Sequence, residues 1–200
     1  MKKLALVLIL FVCFSTVGLA PSLFAEMDLT SFPSCMDENS WILNFGLGLG
    51  GIEHLSYSNA IWVPPLRLSF DRNAALGDNG LPFFFGGLVT YSGKGYRNHQ
   101  VYENWRWTSK NVYYSTIGMG FRCGYHFNWG VDMLDTYAVS TAGWAIHTGD
   151  RDVFVGNKVG HPVFGVQIGA RWFLNDLFGF WAETGWNGLS WFDLGISLKF

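Results

Sequence analysis

The sequence contains few charged residues. Asp, Glu, Lys and Arg together make up 14% of its 200 residues, whereas they make up about 25% of an average soluble domain. The formal net charge is only −2, and half of the residues are apolar. This composition excludes a disordered chain, and without a basic excess nothing indicates a nucleic-acid partner.

Familiar catalytic and cofactor motifs are missing as well. The sequence contains no Gly-x-Ser-x-Gly, no Cys-x-x-Cys and no His-Glu-x-x-His. Its five histidines are scattered, although His147 and His161 flank a stretch that holds Asp150 and Asp152. We therefore predict a protein that is not an enzyme and that has no catalytic residue, cofactor or metal site. A Ser/His/Asp site remains a remote alternative.

The one long apolar run lies at the N-terminus. Residues 4–14 follow two lysines and precede small residues, as in a secretory signal peptide. The run is too short to cross a bilayer as a helix, which takes about 20 residues. We predict a cleaved signal peptide over residues 1–25, with cleavage after Ala20 or an uncleaved anchor as alternatives.

Cysteine is scarce too. Removal of the signal peptide would also remove Cys13 and leave Cys35 and Cys123. An oxidising compartment would allow these two to pair. The sequence leaves open whether they do.

What the sequence does contain is alternation with a period of two, the period of a β-strand. Eight such segments are separated by polar, Gly-rich or Asn/Asp-rich breaks, and no helical period lies between them. Eight antiparallel strands in a small chain predict a barrel or a sandwich. The segments are residues 41–50, 61–70, 82–92, 113–127, 136–147, 163–174, 178–186 and 191–200.

The composition of the two strand faces favours a barrel in a membrane. One face is large and apolar, and the other is mostly Gly, Ser, Thr and Asn. Small residues fit the interior of a narrow barrel, large apolar residues suit lipid, and a closed barrel satisfies every backbone hydrogen bond. We therefore predict an all-β, closed, antiparallel, eight-stranded transmembrane (up-and-down) β-barrel over residues 41–200. A soluble β-sandwich with an apolar core is the alternative.

The last strand carries the most specific feature. In "FDLGISLKF" apolar residues alternate up to a C-terminal aromatic. This pattern resembles the small eight-stranded outer-membrane barrels of diderm bacteria, the OmpA-transmembrane-domain, OmpX and OmpW-like group. The resemblance implies residence in the outer membrane of a diderm bacterium, contact with outer-membrane lipid, and recognition by the barrel-assembly machinery. The residues that match its assembly signal are Phe192, Leu194, Ile196, Leu198 and Phe200.

The same resemblance implies an orientation with both termini in the periplasm. Residues 26–40 would then form a periplasmic N-terminal segment. The two longest connections would face outward, as expected when the periplasmic turns are short. The predicted outer connections are residues 53–60, 93–111, 148–162 and 187–189, and the inner ones are residues 71–81, 128–135 and 174–177.

Six charged residues fall on the inward face of the predicted strands. Because an unpaired charge in a low-dielectric interior costs several kcal/mol, we expect them to pair. They form either a gate along a polar path or a salt-bridge plug in a barrel too narrow for a channel. The six are Arg67, Arg122, Arg171, Glu183, Asp193 and Lys199.

The connection 93–111 is the most unusual stretch, because cations and aromatics interleave in it. Such residues can bind anionic headgroups, glycans or a protein partner, or they can pack together on strands that extend past the membrane. We predict contacts to a host or other surface ligand from Lys94, Tyr96, Arg97, Tyr102, Trp105, Arg106 and Trp107.

The predicted function is therefore that of an integral outer-membrane β-barrel with a structural or surface-interaction role. Resemblance to the OmpW-like group implies an alternative, a narrow conduit or binding site for small hydrophobic molecules. That alternative requires a continuous cavity along Gly46, Gly48, Gly118 and Gly120. A lipid-modifying outer-membrane enzyme is a remote third hypothesis.

Overall fold

The fold is a closed antiparallel β-barrel of eight strands. The computed structural model describes residues 28–49, 60–77, 80–103, 105–149 and 160–200. The predicted signal peptide lies outside these residues. No helix among the described residues is long and apolar enough to cross a membrane. The strands are β1 Trp41–Leu49, β2 Ala60–Leu76, β3 Leu81–Glu103, β4 Arg106–Phe127, β5 Leu134–Gly149, β6 Gly160–Phe173, β7 Phe178–Trp186 and β8 Phe192–Lys199.

Each strand pairs with its neighbours in sequence, and β8 pairs with β1 to close the barrel. At this closure the chain end is part of the ladder. The Phe200 amide donates to the Trp41 carbonyl at 2.8 Å, and the Trp41 amide donates to the Phe200 carbonyl at 2.9 Å. The prediction of an all-β, closed, eight-stranded antiparallel barrel is confirmed.

The two faces of the barrel differ sharply. Large apolar side chains point outward, and on the barrel wall Phe121 (81%), Val166 (70%) and Phe164 (69%) are among the most exposed. Polar side chains point inward, where even Arg67 and Arg171 are buried. A soluble barrel has an apolar interior and a polar exterior. This barrel has the opposite arrangement.

Two segments that the sequence predicts to be connections belong mostly to strands in the structure. Most of the predicted connection 93–111 belongs to β3, which runs to Glu103, and to β4, which begins at Arg106. Likewise, most of the predicted inner turn 71–81 belongs to β2, which runs to Leu76. In both segments the alternation of inward and outward side chains continues through polar residues, and the strand therefore continues as well. Buried Asp71 and Asn73 extend the inward face of β2.

Past Tyr96 and Tyr114, β3 and β4 continue as a pair of strands. Their last described pairs to β2 and β5 are Tyr96 with Ala60 and Tyr114 with Gly149, where the described residues of β2 and β5 begin and end. Residues 97–103 and 105–111, the two arms of the long hairpin, extend about 25 Å at a strand rise of roughly 3.3 Å per residue. The long hairpin marks the hairpin end of the barrel, and the paired residues Trp41 and Phe200 mark the terminus end.

Residues 28–40, the N-terminal cap, fold against the terminus end. Met36 packs with Ile42 and Phe173 in a small apolar cluster. The Asp28 backbone forms an isolated antiparallel bridge with Asn128. The cap also covers the interior, because Phe32 lies 5.6 Å from the ring of buried His126.

Candidate functional site

The interior holds a continuous group of ion pairs, the lumen network. Its members are the buried side chains Arg67, Asp71, Arg122, His126, Asp135, Arg171, Glu183 and Asp193. They come from β2, β4, β5, β6, β7 and β8. Inward alternation on each strand brings them to the same axis.

Arg67 joins the carboxylates of the last two strands. Its Nη1 donates to Asp193 Oδ2 at 2.6 Å, and its Nη2 donates to Glu183 Oε2. Asp193 also accepts hydrogen bonds from Gln167 Nε2 at 2.9 Å and Asn187 Nδ2 at 2.8 Å. A buried carboxylate with this many donors is well compensated for its lost hydration.

Arg122 and Arg171 carry the network towards the terminus end. Arg122 Nη2 donates to Glu183 Oε1 at 2.6 Å, and its Nε lies 3.5 Å from Asp71 Oδ1. Arg171 Nη2 lies 3.2 Å from Asp71 Oδ2, and its Nη1 lies 2.7 Å from Asp135 Oδ2. The three guanidinium groups are thus linked through shared carboxylates.

His126 ends the network beneath the N-terminal cap. Its Nδ1 lies 2.6 Å from Asp135 Oδ1, and its Nε2 lies 3.1 Å from Asn73 Oδ1. The Asn73 amide nitrogen already donates to Ser40 Oγ and the Asp37 carbonyl. Both ring nitrogens of His126 therefore face oxygen atoms of neighbouring side chains.

Aromatic rings surround the guanidinium groups. Arg171 lies 4.0 Å from the Tyr137 ring and 5.5 Å from the Phe84 ring. The Tyr137 hydroxyl donates to Glu183 Oε1 at 2.7 Å. These rings hold the cations by cation–π attraction and exclude water from them.

Of the six charged residues predicted for the interior, five lie in the lumen network. Lys199 does not: its Nζ donates to the Cys35 carbonyl at 2.7 Å and lies over the Phe173 ring. Lys199 is the last residue of β8, so it reaches the cap instead. The sequence prediction missed Asp71, His126 and Asp135. Asp71 and Asp135 lie in segments that the sequence predicts to be turns. Extending the alternation of the adjoining strands would place both side chains on the inward face.

The space left in the interior is small. A side chain at Gly46 would collide with Trp181, and one at Gly48 would collide with Asp193 and Ser190. Gly118 and Gly120 do line a cavity, together with Thr141, that has room for about one water molecule. The continuous cavity along all four glycines that the conduit requires is therefore not present among the described residues.

The aromatic and basic residues of the long hairpin fall into two groups. Trp105, Arg106 and Trp107 are exposed at its tip, with Trp105 at 89%. Lys94, by contrast, is buried and lies 6.0 Å from the Tyr114 ring, so it faces the interior and not a surface ligand. The side chains of Tyr96, Arg97 and Tyr102 lie outside those that the structure describes.

Trp105 adopts an unusual backbone conformation for its type. Its φ is 66°, in the left-handed region that costs a non-glycine residue about 1–2 kcal/mol. Glycine or asparagine would occupy this turn position with less strain. Trp105 is therefore both strained and exposed, and packing does not explain why a large aromatic residue occupies this turn position.

All five predicted assembly-signal residues lie on the outer face, four of them in β8 and Phe200 directly after it. Phe192, Leu194, Ile196 and Phe200 are exposed there, and Leu198 is half-buried. Opposite them, β1 supplies Leu49, Leu47 and Phe45. The closing seam is thus apolar over its whole outer surface.

Neither cysteine of the described chain forms a disulfide. Cys35 lies in the N-terminal cap, and Cys123 lies on β4. Burial raises the pKa of the Cys35 thiol to about 12, and the negative charge of Asp135 adds to the rise. Cys35 is therefore protonated and weakly reactive at neutral pH.

Together these features define a class: a closed eight-stranded barrel with an apolar exterior and an ion-paired interior. No protein-family model matches the chain, and no curated protein matches it. In the described part of the chain, no group of three or more His, Cys, Asp or Glu side chains could hold a metal ion.

Proposed function

We propose that the chain is an integral outer-membrane β-barrel of a diderm bacterium, with a structural or surface-interaction role. The observation that carries this proposal is the apolar exterior. Large side chains such as Phe45, Phe121, Phe164 and Ile196 are exposed around the circumference. An apolar surface of this extent is rare on soluble monomers, and it supports an assignment as the outward face of a membrane barrel.

The lumen network favours a role at the surface over transport. A buried group of ion-paired side chains fills the interior at mid-height, and the N-terminal cap covers the terminus end of the barrel. Eight strands in any case leave room only for side chains or one small ligand. A conduit for small hydrophobic molecules would need this network to rearrange.

The long hairpin is the element that we propose for surface contact. With both termini in the periplasm, its tip would stand about 25 Å beyond the barrel wall, at a strand rise of roughly 3.3 Å per residue. Trp105 and Arg106 are exposed there. An exposed indole beside a guanidinium fits a glycan, an anionic headgroup or a protein surface.

Cysteine labelling on intact cells tests both the location and the orientation. Trp105→Cys and Glu38→Cys place one exposed thiol at each end of the barrel, in a Cys35→Ser/Cys123→Ser background. A membrane-impermeant maleimide should label Trp105→Cys in intact cells. Glu38→Cys should react only after the outer membrane is permeabilised.

Other outcomes would contradict the proposal in distinct ways. Labelling of Glu38→Cys alone would reverse the orientation. Recovery of the protein in the soluble fraction without detergent would exclude the membrane location. A barrel-sized protein that stays in the outer-membrane fraction and shifts its gel migration on heating would support it.

A further inference from the structure

Two histidines meet inside the barrel at its hairpin end, apart from the lumen network. His147 Nε2 lies 3.1 Å from His161 Nδ1, and the rings stack with centroids 5.1 Å apart. On the other side, His147 Nδ1 lies 2.8 Å from Thr116 Oγ1. The three residues come from adjacent strands β4, β5 and β6.

We propose that His147 and His161 form a binding site for a divalent transition-metal ion of the Zn²⁺ and Cu²⁺ class. This inference goes beyond the proposed function and does not depend on the membrane location. Imidazole nitrogen is a preferred ligand of these ions, whereas Mg²⁺ and Ca²⁺ prefer oxygen.

The distance between the two nitrogens suits a shared metal ion. Two Zn–N bonds of about 2.0–2.1 Å at a tetrahedral angle hold their nitrogens about 3.3 Å apart. The observed separation of 3.1 Å differs from this value by only a few tenths of an ångström, and each ring must also turn so that its lone pair points at the metal and not at the other nitrogen. The strands therefore already hold both rings at the spacing that chelation needs.

For a metal ion to bind, the ring protons of the two histidines need only move to the nitrogens that do not face the metal. In the metal-free pair, one ring N–H points from one histidine to the other. For both facing nitrogens to present lone pairs, His147 carries its proton on Nδ1, which donates a hydrogen bond to Thr116 Oγ1, and His161 carries its proton on Nε2. A hydroxyl can accept as readily as it donates, so Thr116 supports either tautomer and would orient the liganding ring.

Solvent has access to the pair, because His147 and His161 are each only half-buried. Water molecules would complete the coordination of the metal. Lys94 faces the interior at the same end of the barrel, and its positive charge opposes a cation. We therefore expect micromolar affinity, about −8 kcal/mol, and not the tighter binding of a structural zinc site.

Calorimetric titration of the refolded protein in detergent, prepared without a histidine tag, tests the site. Zn²⁺ and Cu²⁺ should each bind at one site per chain, and Ca²⁺ should not bind. His147→Asn and His161→Asn should each weaken binding at least tenfold, and the double variant should abolish it. His99→Asn, a histidine of the long hairpin, is the matched control and should bind like the wild type.

A second measurement separates ligation from folding. Saturating Zn²⁺ should raise the urea midpoint of the wild type, because a ligand that binds only the folded state stabilises it. The midpoint of the double variant should not move with Zn²⁺, while its barrel stays folded by circular dichroism. Unchanged Zn²⁺ affinity in the folded double variant, or no Zn²⁺ binding to the wild type at 100-fold higher concentration than expected, would overturn the proposal.

Discussion

At the scale of single residues, Glu183 joins the two parts of the lumen network. Its Oε1 accepts hydrogen bonds from Arg122 and Tyr137, and its Oε2 accepts one from Arg67. Arg67 and Arg122 are fully buried. Their charges therefore depend on this carboxylate, since water cannot replace it.

Glu183→Gln should lower the free energy of unfolding by about 3 kcal/mol, because it removes one of the two carboxylates that pair with each of the buried guanidinium groups of Arg67 and Arg122. Urea unfolding in lipid vesicles measures the loss. The control is Asp176→Asn, which neutralises an exposed carboxylate in the turn before β7 and should change stability by less than about 0.5 kcal/mol. Equal losses in the two variants would contradict a special role for Glu183.

The thiol of Cys35 should react slowly in the folded protein. Because burial raises its pKa to about 12, the reactive thiolate is scarce at pH 8, and the alkylation rate should keep rising with pH up to about 11. Iodoacetamide kinetics of a Cys123→Ser variant measure this rate. The same variant unfolded in urea is the reference, and its rate should level off above about pH 9. A plateau at the same pH in the folded protein would contradict the prediction.

At the scale of elements, the N-terminal cap and the long hairpin contribute differently to stability. The cap is tied to the barrel interior by Met36 and by hydrogen bonds such as Asn73 Nδ2 to Ser40 Oγ at 2.9 Å. The hairpin beyond Tyr96 pairs, in the register described, only with itself. We therefore expect the barrel to depend on the cap and not on the hairpin.

Met36→Ala should destabilise the protein by about 2–4 kcal/mol, since it opens a cavity between Ile42 and Phe173. It should also speed proteolysis within the cap. Glu38→Ala, an exposed position in the same segment, is the control for both the unfolding free energy and the proteolysis rate. If Met36→Ala matched that control, the cap would not be packed as described.

Replacement of residues 99–110 by Asn-Gly should leave the barrel's unfolding free energy within about 0.5 kcal/mol of the wild type. A two-residue Asn-Gly turn can join the remaining strands. Urea unfolding and heat-modifiable gel migration measure the result. Failure of this shortened chain to form a heat-modifiable barrel would mean that the hairpin takes part in folding.

At the scale of the whole molecule, the barrel should not conduct. The lumen network and cap close the interior, so vesicles that contain the protein should show no ion conductance and no uptake of small hydrophobic solutes above protein-free vesicles. The variant shortened at residues 99–110 is the matched comparison, and it should behave in the same way. Steady flux through the wild type would favour the conduit.

Alternation of apolar and small residues was enough to predict the eight strands, their closure and which face lies inward. It failed at strand ends, where polar residues such as Asp71 were assigned to turns. It also failed to find the ion partners: Arg171 meets Asp135 because β5 and β6 are in one particular register. Register depends on contacts between strands, and a single strand's sequence does not contain it.

The distribution of charge among the strands has a consequence for the order of assembly. The last two strands supply Glu183 and Asp193, which are both ion partners of Arg67. A chain truncated before β7 would therefore bury an arginine with no counter-charge, and it could not close at low energy. The hairpin of β7 and β8 thus supplies the counter-charges that allow the closed barrel to bury Arg67.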